Sequence, residues 1–173
     1  MRGRALRPTS DRIRESVFAI LGERVLGARF LDLFAGAGAV GLEALSRGAA
    51  EATFVESHRP AGRVIEENAG RCGFAARARV LAIPAERALA LLRREGARFD
   101  LIFVDPPYES REASATLARL VQWPQMLAQG GLVICQHARS EEPGEQIGPF
   151  ERMREAYFGE TVVDFYQARR EGD

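Results

Sequence analysis

The sequence predicts an α/β protein: a mostly parallel sheet with helices on both faces. Two observations carry that reading. From Arg29 onward, short apolar runs of four to seven residues alternate with segments of helical period, as buried parallel strands and their crossover helices do. The chain has 173 residues, 46% of them hydrophobic and 28% charged, enough for one domain with a sizeable core and too apolar for disorder.

In chain order, Ser10 or Asp11 caps a helix running to about Gly22, with Ile13, Val17, Ile20 and Leu21 on one apolar face. Arg29–Ala35 reads as a buried strand and Val40–Arg47 as a helix. Glu51–Glu56 is a strand, and Ala61–Arg71 is a helix ended near Gly73. Arg79–Ile83 is a strand, Glu86–Arg94 a helix, and Phe99–Val104 a strand closed by Asp-Pro-Pro. Glu112–Leu127 is mostly helix, interrupted at Pro124. Gly131–Gln136 is the fifth strand, Ser140–Phe150 a loop, and Met153–Phe158 with Thr161–Ala168 a hairpin around Gly159.

Zero net charge hides an asymmetry. All 24 basic residues are Arg. Residues 1–14 hold Arg2, Arg4, Arg7, Arg12 and Arg14 against Asp11, a net of +4, whereas residues 141–173 hold nine acids against four Arg, a net of −5. A basic arm on a neutral body steers toward phosphate, and Arg makes forked contacts to it; a solvated terminus is the plainer alternative. No apolar run approaches the roughly 20 residues of a membrane helix, and no signal-peptide pattern opens the chain, so a cytoplasmic protein without a membrane partner is expected. Cys72 and Cys135 form no C-x-x-C, and the only histidines are His58 and His137, so neither a disulfide framework nor a metal site is expected. Nothing in the pattern suggests an interface, and a monomer is the default.

Phe30-Leu-Asp-Leu-Phe-Ala-Gly36-Ala-Gly38-Ala-Val-Gly41 sets three glycines at G-x-G-x-x-G spacing between a strand and a helix. Glycines there let the backbone turn sharply and approach a ligand. Glu56, 20 residues after Gly36, ends the next strand where a carboxylate accepts from a ribose diol. These features fit an adenosine-containing cofactor, NAD included. Asp32 shifts the balance, because a pyrophosphate disfavours a nearby anion. A cationic cofactor such as S-adenosylmethionine suits it. The structural alternative is that Asp32 caps a backbone group and the glycines only tighten a turn.

Phe99-Asp-Leu-Ile-Phe-Val-Asp105-Pro106-Pro107-Tyr108 ends a buried strand in an acid, two prolines and an aromatic. Ligands of open α/β sheets lie beyond the carboxyl ends of strands, so this tetrapeptide is expected to face the glycine turn. The prolines remove N–H donors and leave acceptors. The Asp105 carboxylate and Pro106 carbonyl then suit the two protons of an exocyclic amine, and Tyr108 offers a stacking face worth about 1–3 kcal/mol. A rigid loop with a core tyrosine is the alternative.

With these residues in view, the chain resembles class I S-adenosylmethionine-dependent amino-methyltransferases. More narrowly, Arg7-Pro-Thr9-Ser-Asp-Arg12-Ile-Arg-Glu15, Leu31-Asp-Leu-Phe-Ala-Gly-Ala-Gly38 and Gly41-Leu-Glu-Ala-Leu-Ser-Arg-Gly48 resemble the RsmD family, which methylates a guanine 2-amino group in bacterial 16S ribosomal RNA. The resemblance covers nearly the whole chain. It implies a Rossmann-like fold, a mostly parallel seven-stranded sheet with an antiparallel last strand. Residues 1–22 would form a basic arm and helix, and 23–173 the methyltransferase domain. It implies S-adenosylmethionine held by Asp32, Phe34, Gly36, Gly38, Gly41, Glu56 and Ala85. The base would be held by Asp105, Pro106, Pro107 and Tyr108, and RNA by Arg2, Arg4, Arg7, Thr9 and Arg12. Three departures from the family pattern stand out. The N-terminal arm is short: Arg2-Gly-Arg-Ala-Leu6 resembles the family's basic segment, but the stretch between it and Arg7 is missing. Pro84 replaces the Asn or Asp common after strand three, which moves the adenine contact to the Ala85 backbone. Gln136-His137 replaces an acid common after strand five, with His137 expected at the surface or behind the site. An adenine N6 methyltransferase and an NAD-dependent oxidoreductase are the rival readings.

Overall fold

The computed structural model describes residues 10–108 and 110–169. Arg2, Arg4, Arg7 and Thr9 lie outside them. Ser10 opens helix α1 (Asp11–Leu21), its hydroxyl accepting from the Ile13 backbone N–H at 3.3 Å, one of the donors a first helical turn leaves unmatched. There follow β1 (Arg29–Leu33), α2 (Ala39–Ser46), β2 (Glu51–Val55), α3 (Arg59–Arg71), β3 (Ala78–Leu81), α4 (Ala85–Arg94), β4 (Phe99–Val104) and α5 (Glu112–Gln122). Helix α5 stops just ahead of Pro124, which opens a short 3-10 turn to Met126. Strand β5 (Leu127–Ala138) begins earlier than the alternation suggests, because Leu127 pairs with Phe99 before a register shift. Strands β6 (Gln146–Ile147), β7 (Phe150–Phe158) and β8 (Thr161–Ala168) complete the chain.

The strands form one sheet in the order β3-β2-β1-β4-β5-β8-β7-β6. The first five are parallel. The last strand, β8, enters between β5 and β7 antiparallel to both. The expected hairpin forms, turning at Gly159 with φ +62°. Among the described residues the sheet has eight strands, not seven. The additional one, β6, is a two-residue edge pairing with β7 inside the stretch read as loop, too short to show a period.

Alternation along the strands divides the core. Phe30, Leu101, Phe103, Leu132 and Ile134 face α1, α2 and α3, while Leu31, Leu33, Ile102, Val104 and Val133 face α4 and α5. Helix α1 belongs to this core through Ile13, Val17, Phe18 and Leu21. Among the described residues no helix is long and apolar enough to cross a membrane.

Strand order reverses between β1 and β4, and an open α/β sheet places its ligand crevice at that reversal. Leu33 pairs with Val104, so the glycine turn and the Asp-Pro-Pro-Tyr segment leave the sheet side by side. At the other end of the pair, Asp100 pins the register by accepting from the Arg29 backbone N–H (2.8 Å), Nε (3.0 Å) and Nη2 (3.2 Å).

Candidate active site

The turn after β1 is bound together by two carboxylates. Asp32 is buried, and its Oδ2 accepts from the Gly41 N–H at 3.0 Å. That donor lies in the first turn of α2, so Asp32 caps the helix from the neighbouring strand. Burial pushes its carboxyl up to about 8; the Gly41 N–H opposes this, and Asp105 and Glu56 add to it. Glu56 accepts from Gly36 N–H through Oε2 (2.8 Å) and from His58 N–H through Oε1 (2.9 Å). It thereby staples the glycine turn to the end of β2. Each of its oxygens keeps a second acceptor position, so a diol can still be received there.

The glycines differ in what requires them. Gly36 and Gly38 hold φ of +58° and +86°, a left-handed backbone that a Cβ disfavours. Gly41 has ordinary φ but sits against Phe54: a Cβ there would lie 2.3 Å from the Phe54 Cε1. It is the close helix-to-strand approach, buried inside α2, and it offers its N–H to Asp32. Phe34 is left-handed without being glycine, with φ +64°. Its half-buried ring rests on the core facing α4 and α5. Ala85 is the first residue of α4, where helix geometry gives the N–H no intrahelical acceptor.

Beyond β4, Pro106 is buried, Asp105 is half-buried, and Pro107 and Tyr108 are exposed. The Pro107 carbonyl accepts from Ser110 Oγ at 2.7 Å. Tyr108 is 46% exposed, and its hydroxyl is tied to the start of β8: 2.6 Å from Thr161 Oγ1 and 3.3 Å from the Glu160 carbonyl oxygen. The ring is thus set in place by a hydrogen-bonded tether and leaves its faces available for stacking. Asp105 to Tyr108 share a narrow cavity with Gln136, His137 and Ala138 from the end of β5 and with Glu141 just beyond it.

Of the two placements expected for His137, at the surface or behind the site, the structure has the second: the residue is buried. Its Nδ1 lies 2.8 Å from the Ala138 carbonyl oxygen and its Nε2 2.9 Å from Asp164 Oδ2. Both partners are acceptors, so the pair of contacts favours the doubly protonated ring over the neutral one. Burial works against that charge; the bonds to Asp164 and the Ala138 carbonyl outweigh it and raise the ring's proton affinity. Asp164 also accepts from the Tyr166 hydroxyl at 3.2 Å and has Arg152 Nη1 at 3.5 Å. This buried set joins β5, β8 and β7 behind the cavity.

The structure therefore brings Asp32, Phe34, Gly36, Gly38 and Glu56 to one rim of the switch point and Asp105 to Tyr108 to the other. Gly41 stands one turn into α2. Arg12 is exposed on α1. Sequence reasoning assigned no role to Thr161 or Glu141 and noted Gln136 only as a departure. What sets them beside the clamp is strand order and register. Among the described residues no group of three or more His, Cys, Asp or Glu is placed to hold a metal.

The chain has clear relatives. A family model described as "Conserved hypothetical protein 95" matches residues 1–167. YlbH of Bacillus subtilis (strain 168), provisionally named an rRNA methyltransferase, is 36% identical over 167 residues, 96% of this chain and 90% of that protein. Ribosomal RNA small subunit methyltransferase D of Escherichia coli (strain K12) is 35% identical over 171 residues, 97% of this chain and 82% of the relative. The solved structure of yhhF from Escherichia coli, provisionally named a methyltransferase, aligns with a TM-score of 0.83 at 31% identity, covering 94% of this chain and 88% of that one. A parallel sheet with an inserted antiparallel last strand, two loops meeting at its switch point, and relatives matched along most of their length lead to one assignment: the chain belongs to the RsmD family of class I methyltransferases.

Proposed function

We propose that the chain transfers a methyl group from S-adenosylmethionine to the exocyclic 2-amino group of a guanine in 16S ribosomal RNA. The observation that carries this reading is the pairing of Leu33 with Val104, which sets the carboxylate-stapled glycine turn beside an acceptor-only clamp. The names of the relatives, with ribosomal RNA methyltransferases among them, support it.

The residues present fit the cofactor. Gly36 and Gly38 keep the turn free of side chains, Glu56 retains acceptor positions for a ribose diol, and the Ala85 N–H suits an adenine ring nitrogen. Asp32 supplies a carboxyl that a cationic amino acid moiety draws into its ionised form. Phe34 and Gly41 shape the same turn. When bound, the cofactor supplies an electrophilic methyl group. The chain's own work is positioning. Asp105 and the Pro106 carbonyl accept hydrogen bonds from the two amine N–H groups and aim the nitrogen lone pair, and the one proton released once nitrogen carries the methyl leaves by way of Asp105 to water, while Pro107 stiffens the loop. Tyr108 holds the base by stacking, excluding water from the reacting atoms. The base enters as an unstacked or flipped nucleotide.

On this reading residues 1–22 serve as an arm and helix that hold RNA through Arg2, Arg4, Arg7, Thr9 and the exposed Arg12. Residues 23–173 perform the chemistry as a monomer in the cytoplasm. Phosphate contacts of this kind make binding salt-sensitive.

The test is incubation with labelled S-adenosylmethionine and small ribosomal subunits lacking the modification, followed by mass analysis of the nucleosides and mapping. N2-methylguanosine at one position is expected. Label in N6-methyladenosine overturns the base assignment, and calorimetric binding of NAD in place of S-adenosylhomocysteine overturns the cofactor.

A further inference from the structure

We infer that Gln136 reads the Watson–Crick edge of the target base and selects guanine, an inference that rests on the base methylation proposed above. Val104 of β4 pairs with Cys135 of β5, so the next residues, Asp105 and Gln136, stand level at the carboxyl end of the sheet. Gln136 is only 7% exposed and lines the same cavity as the clamp. Its Oε1 is buried and has no hydrogen-bond partner among the described residues. Buried polar atoms are almost always paired, so an unpaired one beside a binding cleft calls for a partner from outside the chain.

The neighbouring His137 ring is already engaged, and Glu141 is a half-buried carboxylate rather than an enclosed acceptor. Both ring nitrogens of His137 are taken by Ala138 and Asp164, and Glu141 Oε1 accepts from Ser114 Oγ at 3.4 Å. Among the described residues Asp164 Oδ1 and Arg152 Nη1 are also without a hydrogen-bond partner, but they belong to the set behind the cavity; Gln136 Oε1 is the unpaired buried atom of a residue that lines it.

Base chemistry identifies that partner. Asp105 and Pro106 hold the exocyclic amine. In guanine the ring atom adjacent to the amine-bearing carbon on the Watson–Crick edge is N1–H, a donor. In adenine the corresponding N1 carries a lone pair. An acceptor beside the clamp therefore forms a hydrogen bond with guanine and meets a lone pair with adenine. Sites built to hydrogen-bond a substrate group reject analogues that lack it.

The test compares a short RNA carrying the target guanine with the same RNA carrying 2-aminopurine, which keeps the 2-amino group but has a bare N1. The wild-type chain is expected to favour guanine by about 10- to 100-fold in kcat/KM. Gln136→Leu is expected to lose guanine activity by a similar factor, bringing the two bases close together, while S-adenosylhomocysteine affinity holds. Gln136→Glu, which keeps an acceptor, is expected to retain the preference. Equal use of the two bases by the wild type overturns the inference, as does full preference in a folded Gln136→Leu. Should Gln136→Leu fail to fold by circular dichroism, the wild-type ratio and Gln136→Glu decide the matter. Methylation of guanine without discrimination removes only the role of Gln136; methylation of neither base removes the parent proposal as well.

Discussion

The two rims of the crevice are built on opposite principles. After β1, side chains serve the backbone: Asp32 caps α2, Glu56 staples Gly36 and His58, and Gly41 makes room for Phe54. After β4 and β5, the backbone serves side chains: prolines stiffen the loop, Thr161 and Glu160 tether Tyr108, and a buried ionic set backs His137. In the first rim the side chains offered to the ligand also hold the turn together, so changing them disturbs shape and binding at once. In the second rim a side chain such as that of Asp105 can lose its chemistry while the fold survives.

That contrast predicts the largest effect for Asp105→Ala. Methyl transfer is expected to fall by about 1000-fold, while S-adenosylhomocysteine affinity by calorimetry stays within a few-fold. Near-normal turnover in this variant removes Asp105 from the clamp. Gly41→Ala tests the other rim, where stability and binding are expected to fail together. Its Cβ would press on the Phe54 ring, and overpacking of this kind costs about 1–3 kcal/mol. Gly36→Ala meets nothing within 4 Å and carries only the left-handed backbone penalty, about 1–2 kcal/mol. Urea denaturation that ranks the two the other way contradicts the packing role of Gly41.

Asp32 adds a pH signature. Its carboxyl is raised to about 8 in the folded chain, chiefly by burial. Between about pH 4 and 8 the native state holds a proton that the unfolded state has released. Cofactor-free stability therefore falls as pH rises across that window and levels off above it, with a slope from this group of up to about 1.4 kcal/mol per pH unit. Asp32→Asn keeps an oxygen for the Gly41 N–H and is expected to flatten the slope. Binding of a cationic methyl donor below pH 8 is expected to release a proton, visible in calorimetry as a dependence on buffer ionisation enthalpy. An unchanged slope in Asp32→Asn denies the buried neutral carboxyl.

The unequal legibility of the rims follows from the same contrast. Glycine spacing, Asp-Pro-Pro-Tyr and the apolar runs are local signals, and they located both loops and most elements within a few residues. Strand order is not local. Nothing near Gln136 states that it stands level with Asp105, and nothing near Thr161 states that β8 turns back beside Tyr108. That His137 could be placed only as a surface residue or one behind the site has the same origin. Its side-chain partner Asp164 comes from β8, which lies next to β5 only after the turn at Gly159, and Asp164 is in turn met by Tyr166 of β8 and Arg152 of β7.

His137 gives the smallest and most discriminating test of the second rim. Its two nitrogens each face an acceptor, so the folded state favours the charged ring, and its proton affinity lies above the ordinary histidine value. A group raised in this way adds stability that is fully present below about pH 6.5 and is lost as pH rises through the folded-state value. His137→Gln is expected to lower stability by about 1–2 kcal/mol at pH 6 and by less at pH 9, while S-adenosylhomocysteine affinity holds. A strut behind the clamp also predicts a raised KM for RNA with a smaller change in kcat, because the Ala138–Thr161 pairing that carries the Tyr108 tether is loosened while Asp105 stays in place. A stability difference that does not narrow with rising pH contradicts the imidazolium. A loss confined to kcat instead assigns His137 to the chemistry itself.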